Sequence, residues 1–186
     1  MARHKILSDE QVLQRLLGEL LAVGPAGFTF AKAAKASGLS AATLVQRYGD
    51  RASLIEAILL HAWDTLDSQT ETADAEAADT PEGAIGLLLR LMPDGDAERN
   101  ATDGLLLLRE DLQNPILRAR GSAWGNRLAT ALGRRLTGDT ANALSLGWEM
   151  ASLWQGAYIW WAFNRGETAE AAIRRTLINW INRQAE

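Results

Sequence analysis

The chain has 186 residues, 47% of them apolar, enough to bury the core of one large domain or of a small domain joined to a larger one. With no Cys it can hold no disulfide, no thiolate zinc site and no cysteine nucleophile, which suits a cytoplasmic protein. A formal net charge of −4 argues against a uniformly basic binder of polyanions, so any such surface has to be local.

The charge is indeed uneven. Within residues 1–55, Arg3, Lys5, Arg15, Lys32, Lys35, Arg47 and Arg51 outnumber Asp9, Glu10, Glu19 and Asp50, a net of +3, and the remainder carries −7. The opening MARHKILSDEQ lacks the apolar run of a secretory leader. The most apolar window, 150–164, is flanked by Glu149 and Arg165 and is too short to cross a bilayer, so no membrane partner is expected.

Taken in order, the segments read as helices. Val12, Leu13, Leu16, Leu17, Leu20 and Leu21 share one face of a first helix, which Ser8 caps and GPAG (24–27) stops. Thr29 caps a short helix over 30–37, with Gly38 just past its end. Ser40 caps a two-turn helix ending near Tyr48 and Gly49. Asp50 caps a longer one with Leu54, Ile55, Ile58, Leu59, Ala62 and Trp63 along one stripe. The acidic, Ala-rich stretch DSQTETADAEAADTPEG reads as the frayed end of that helix and a mobile loop. Thr80 and Pro81 restart a helix towards Met92. PDGDAERNATDG (93–104) reads as a loop. Helices are expected over 105–113, from Asn114–Pro115 to about Leu136, over 141–163 and over 169–183. The expectation is an all-α chain of about nine helices, without strands or fixed-period repeats.

Two short helices joined by a Gly-containing turn and propped by longer ones form a helix-turn-helix. A two-turn helix is marginal alone, so its neighbours must hold it; its brevity suits end-on entry into a DNA major groove. At 100° per residue, Leu44 and Tyr48 point inward, while Ala42, Thr43, Val45 and Gln46 occupy the other side with Arg47 at its flank. Gln46 can pair with adenine, Thr43 can bond a base or touch a thymine methyl, and Ala42 permits close approach. The helix starts at Thr29, Ser40 and Asp50 offer N–H groups to phosphate, and Arg51 is a cation in a first turn, where the dipole disfavours it unless it reaches a phosphate. The candidate DNA-contacting set is Thr29, Ser40, Ala42, Thr43, Val45, Gln46, Arg47, Tyr48 and Arg51.

The stretch GFTFAKAAKASGLSAATLVQRYGDRASLIEAIL resembles the DNA-binding segment of TetR/AcrR-type transcriptional regulators through Gly27, Phe28, Thr29, Ala34, Gly38, Leu39, Ser40, Thr43, Leu44, Tyr48 and Leu54. The likeness covers roughly residues 8–66. Val45 stands where that family has Tyr, Arg47 where His or Tyr is common, Arg51 where it has Lys, and Ala33 where it has Ile. The resemblance implies a helix-turn-helix domain over 1–50 and a ligand-binding, dimerising domain over 51–186. It also implies a double-stranded DNA operator, a homodimer, a small-molecule effector of unknown identity and, by family habit, repression.

The body agrees with that outline. The helix over 141–163 is apolar on more than one face and the last helix nearly so; packed against their copies they would form a four-helix interface with Trp154, Tyr158, Trp161, Leu177, Trp180 and Ile181. Among the seven Trp, Trp63, Trp124 and Trp148 lie on helices that would surround a pocket for a flat or apolar ligand, joined by His61, Arg90 and Arg109. An enzyme is not expected. Beyond His4 and His61 there are only carboxylates, and Glu110 and Asp111, adjacent in sequence, do not share a helix face. No cofactor or metal is expected. The alternative is a degenerate member of the family that binds a ligand or a protein without reading DNA.

Overall fold

Short polar side chains start the helices. The structure, a computed structural model, describes residues 7–92 and 97–184, except for the side chains of 97–102. Arg3, His4 and Lys5, and residues 93–96 of the loop expected at 93–104, lie outside the described residues. Ser8 accepts from the Gln11 N–H while the Gln11 side chain accepts from the Ser8 N–H, a reciprocal cap that opens α1 (Asp9–Gly27). Thr29 caps α2 (Phe30–Ser37) and Ser40 caps α3 (Ala41–Tyr48). Asp50 accepts from the Ser53 N–H at the head of α4 (Arg51–Glu76), and Thr80 with Pro81 begins α5 (Pro81–Arg90). With α6 (Ala97–Gln113), α7 (Pro115–Leu136), α8 (Thr140–Asn164) and α9 (Ala169–Gln184), the described residues hold nine α-helices and no strand.

Two compact units divide the chain. One gathers the chain up to Thr65 with Asp103–Arg120, the other Leu66–Thr102 with the chain from Gly121. The first unit thus runs past residue 50 to include the head of α4. Its core is Val12, Leu16 and Leu20 of α1, Phe28, Ala33 of α2, Leu44 of α3, and Leu54, Ile55, Ile58 and Leu59 of α4, closed by Leu117. Each short helix gives this cluster one fully buried side chain, and that burial holds what propensity alone would not. The GPAG stop is a kink: Gly24 takes a left-handed φ of 68° and a turn of helix follows it to Gly27.

In the second unit, two sequence expectations need correction. The acidic stretch after Gln69 is helix: α4 continues to Glu76 with Thr70 and Ala73 buried. The cause is Arg135 on α7, whose side chain has no exposed surface. Its guanidinium donates to the carbonyls of Asp74 (2.7 Å), Ala77 (3.0 Å) and Ala78 (2.9 Å) and to the Asp74 carboxylate (2.5 Å), supplying partners for the last turn of α4. Arg134 grips the same carboxylate with both terminal nitrogens at 2.9 Å. The second correction is at α6, which begins at Ala97 rather than after Gly104. From Ala97 to Gln113 there is no proline, and the single Gly, at 104, costs a helix only about 1 kcal/mol.

α7 and α8 meet backbone to backbone. A Cβ at Gly147 would lie 1.9 Å from the Ala129 carbonyl oxygen, and one at Gly133 2.1 Å from that of Ala143. Ala129 and Gly133 on one helix face Gly147 and Ala143 on the other in antiparallel order. Gly125 leaves room for the Trp148 indole, whose edge is 2.5 Å from where a Cβ would be.

Candidate nucleic-acid interface

Gly38, at φ 77°, ends α2 and turns the chain through Leu39 to Ser40. Ser37 is wholly buried; its hydroxyl donates to the Ala33 carbonyl (2.7 Å) and accepts from the Leu39 N–H (3.3 Å), fixing the turn. Ser40 accepts from the Thr43 N–H (3.0 Å), and the two hydroxyls are 2.8 Å apart. Leu44 is buried and Tyr48 half-buried, as the helical angles predict. Ala42, Val45, Gln46 and Arg47 are exposed and Thr43 is half-buried, so α3 turns a small, mixed polar face to solvent. Thr29 and Ser40 are exposed at their cap positions.

The cations here are held in place. Arg15 reaches the Ser37 carbonyl (3.4 Å) and Lys32 the Gly27 carbonyl (3.0 Å). Arg51 donates through Nε to the Phe28 carbonyl (2.7 Å) and through Nη2 to that of Pro25. These two bonds explain a cation in the first turn of α4 without any phosphate: Arg51 ties that turn to the segment joining α1 and α2. Arg47 pairs with Asp9 at 2.8 Å, a contact that sequence reasoning missed because the partners lie 38 positions apart.

The Tyr48 hydroxyl is buried and meets no partner at full hydrogen-bond geometry, with the Arg47 guanidinium the polar group beside it. Burial first, and then the Asp9 carboxylate, push the phenol above its ordinary range against the pull of Arg47, so it stays protonated. An unsatisfied buried hydroxyl is a cost of about 1–3 kcal/mol. Tyr48→Phe should therefore keep or raise stability, by up to about 1 kcal/mol in chemical denaturation; a clear loss would mean that the hydroxyl has a partner.

No family model matches the sequence, and no curated protein matches it. Solved structures do match. A protein assigned to the TetR-family transcriptional regulators, from Rhodococcus sp., aligns with a TM-score of 0.69 at 18% identity, covering 92% of this chain and 96% of that one. A transcriptional regulator from Rhodococcus sp. Rha1 gives 0.72 at 17%, covering 92% and 94%, and a protein from Mesorhizobium loti MAFF303099 assigned to the TetR family gives 0.66 at 17%, covering 94% and 93%. The chain has the TetR-type regulator fold. Among its described residues no helix is long and apolar enough to cross a membrane.

Within this TetR-type fold the six expected pocket residues fall three in each unit. His61 meets Gln14 (3.2 Å), the Trp63 indole donates to Asp111 (3.0 Å), and Arg109 is exposed beside Glu110. In the other unit Arg90 pairs with Glu76, the buried Trp124 indole donates to Thr70 (2.9 Å), and Trp148 covers Gly125. Trp63 also keeps the Asp111 carboxylate from rising further: burial raises its pKa and the indole bond opposes it. None of the six lines the groove of about 590 Å³ between α8 and α9, which Gly156, Ala157, Trp160 and Thr176 help to form.

The six residues expected at a dimer face of this TetR-type fold are in part taken up by the chain's own packing. Trp161, Leu177 and Trp180 are buried within the chain. Trp161 stacks on Tyr158 at 5.9 Å and donates to the Glu167 carbonyl (2.7 Å). Trp154, Tyr158 and Ile181 are half-buried, the Trp154 indole nitrogen without a described partner. The free apolar surface belongs to their neighbours: Trp160 is 67% exposed, Phe163 76%, and Ile159 and Ile178 are both exposed. Helical periodicity finds the apolar helices; it does not say which apolar face meets the chain's own α9.

Proposed function

We propose that the chain is a DNA-binding transcriptional regulator that acts as a homodimer, each copy placing the outward face of α3 in the major groove of one half of a palindromic operator. The observation that carries this reading is that face itself. Gln46 and Ala42 are open to solvent on a helix whose other side is locked by Leu44, so the base-reading side chains are presented by a rigid unit. The aromatic face at Trp160 and Phe163 supports a two-fold partner, because chains that stay monomeric rarely leave such a patch to water. Thr29, Ser40, Thr43, Val45, Arg47, Tyr48 and Arg51 complete the proposed contact set. Repression relieved by a small aromatic or apolar effector completes the mechanism: a ligand favouring the DNA-incompetent form weakens operator binding by the factor that DNA weakens the ligand.

A second reading has observations of its own. Val45 offers no hydroxyl to phosphate, and Arg51 and Arg47 already have protein partners. These features favour a protein that keeps the fold and has lost operator recognition. Selection from a random duplex pool separates the two. The regulator reading expects a palindrome with half-sites about 34 Å apart, and Gln46→Ala should lose about tenfold on the selected site while binding to random duplex is unchanged. No enrichment, with no salt-dependent binding to random duplex, would establish the second reading instead.

A further inference from the structure

We propose that Asp9 is a built-in competitor for DNA: its carboxylate holds Arg47, the cation of α3, and has to be exchanged for a backbone phosphate each time α3 seats. The proposal rests on the regulator reading and adds a residue outside the helix-turn-helix that sets how strongly the surface binds DNA without regard to sequence.

Three observations combine. Arg47 Nη1 and Asp9 Oδ1 are 2.8 Å apart, with 36% and 80% of the two side chains exposed, so a phosphate oxygen can reach the guanidinium and replace the carboxylate. The other held cations of this surface, Arg15, Lys32 and Arg51, bond neutral carbonyls and keep their field; at Arg47 the partner is an anion and the field is cancelled. Asp9 itself is fixed in the first turn of α1, where the helix dipole favours a carboxylate, so in the exchange it is Arg47 that moves.

The ion balance follows. When Arg47 leaves for a phosphate, one condensed cation leaves the DNA, and the Asp9 carboxylate gives up its partner to water. The salt slope therefore still counts Arg47, at about 0.9 per copy, while the lost pair with Asp9 lowers the affinity itself. Contact with random DNA is held weak, and only a site that also engages Gln46 repays the exchange.

The test is titration of the full chain with a labelled random-sequence duplex over a range of salt, for wild type, Asp9→Asn, Glu10→Gln and the double variant Asp9→Asn with Arg47→Ala. Glu10 is an exposed acid in the same turn with no ion pair to Arg47, and it controls for bulk charge. Asp9→Asn should bind about fivefold tighter at low salt, with the salt slope little changed, while Glu10→Gln stays near wild type. In the Arg47→Ala background the gain should vanish. Equal effects of Asp9→Asn and Glu10→Gln, a gain that survives without Arg47, or weaker binding by Asp9→Asn would each overturn the proposal while leaving the regulator reading in place. Wild type that binds no duplex at low salt would instead fail that reading and this proposal with it.

Discussion

Arg135→Ala should cost about 3–5 kcal/mol, the loss typical of removing one partner from a buried ion pair. The substitution takes the Arg135 donors from the carbonyls of Asp74 and Ala77, leaves the Ala78 carbonyl with the Thr80 N–H alone, and leaves the Asp74 carboxylate to Arg134. Lys is no substitute, since a single ammonium cannot fork between a carboxylate and three carbonyls, so Arg135→Lys should retain less than half of the lost stability. Denaturation followed by tryptophan fluorescence, at fixed protein concentration, reads both variants; a loss under about 1 kcal/mol for Arg135→Ala would show that α4 closes without this residue. The pH dependence carries a second signature. Burial raises the Asp74 pKa, but the bonds from Arg134 and Arg135 outweigh it and hold the carboxyl below its usual range. A lowered folded-state pKa gives stability that is present above the ordinary carboxylate range and lost as pH falls through the lowered value. That acid-sensitive part should shrink in Arg135→Ala.

Gly147→Ala should be comparably damaging for a different reason. The added Cβ would sit 1.9 Å from the Ala129 carbonyl oxygen and 2.7 Å from its carbon, both main-chain atoms, so no side chain can step aside. α8 would have to move off α7, at a cost of about 3 kcal/mol or more. Gly18→Ala is the matched control. A Cβ there meets nothing within 4 Å, and the exchange should stabilise α1 by about 0.4–1 kcal/mol. Similar denaturation midpoints for the two alanine variants would contradict the close approach of α7 and α8.

What could be read in advance was whatever depends on near neighbours. Ser8, Thr29, Ser40, Asp50 and Thr80 each bond a backbone N–H three residues on, and those helix starts are legible as sequence. Leu44 inward and Gln46 outward follow from helical angle alone. The acidic run to Glu76 was misjudged because its stabilising partners, Arg134 and Arg135, are about sixty residues away, and composition cannot see a cap supplied from that distance. The carbonyls that hold Arg51 become visible only once the chain between α1 and α2 is folded, since they lie more than twenty positions away in the sequence. Which apolar residue stays open is not legible at one-step precision: Trp160 and Trp161 are neighbours 100° apart, one at 67% exposure and one at 7%. Large indoles read as lining in the sequence, and their packing shows only in the fold, with Trp124 bonded to Thr70 and Trp148 laid over Gly125.

The paired contacts of Ala129 with Gly147 and of Gly133 with Ala143 also fix the offset between α7 and α8. If one helix slid by a turn, about 5.4 Å, a larger side chain would arrive where only bare backbone fits. Graded slippage is therefore forbidden to this pair, which can travel only as a block. Any rearrangement of the second unit therefore has to carry these two helices together.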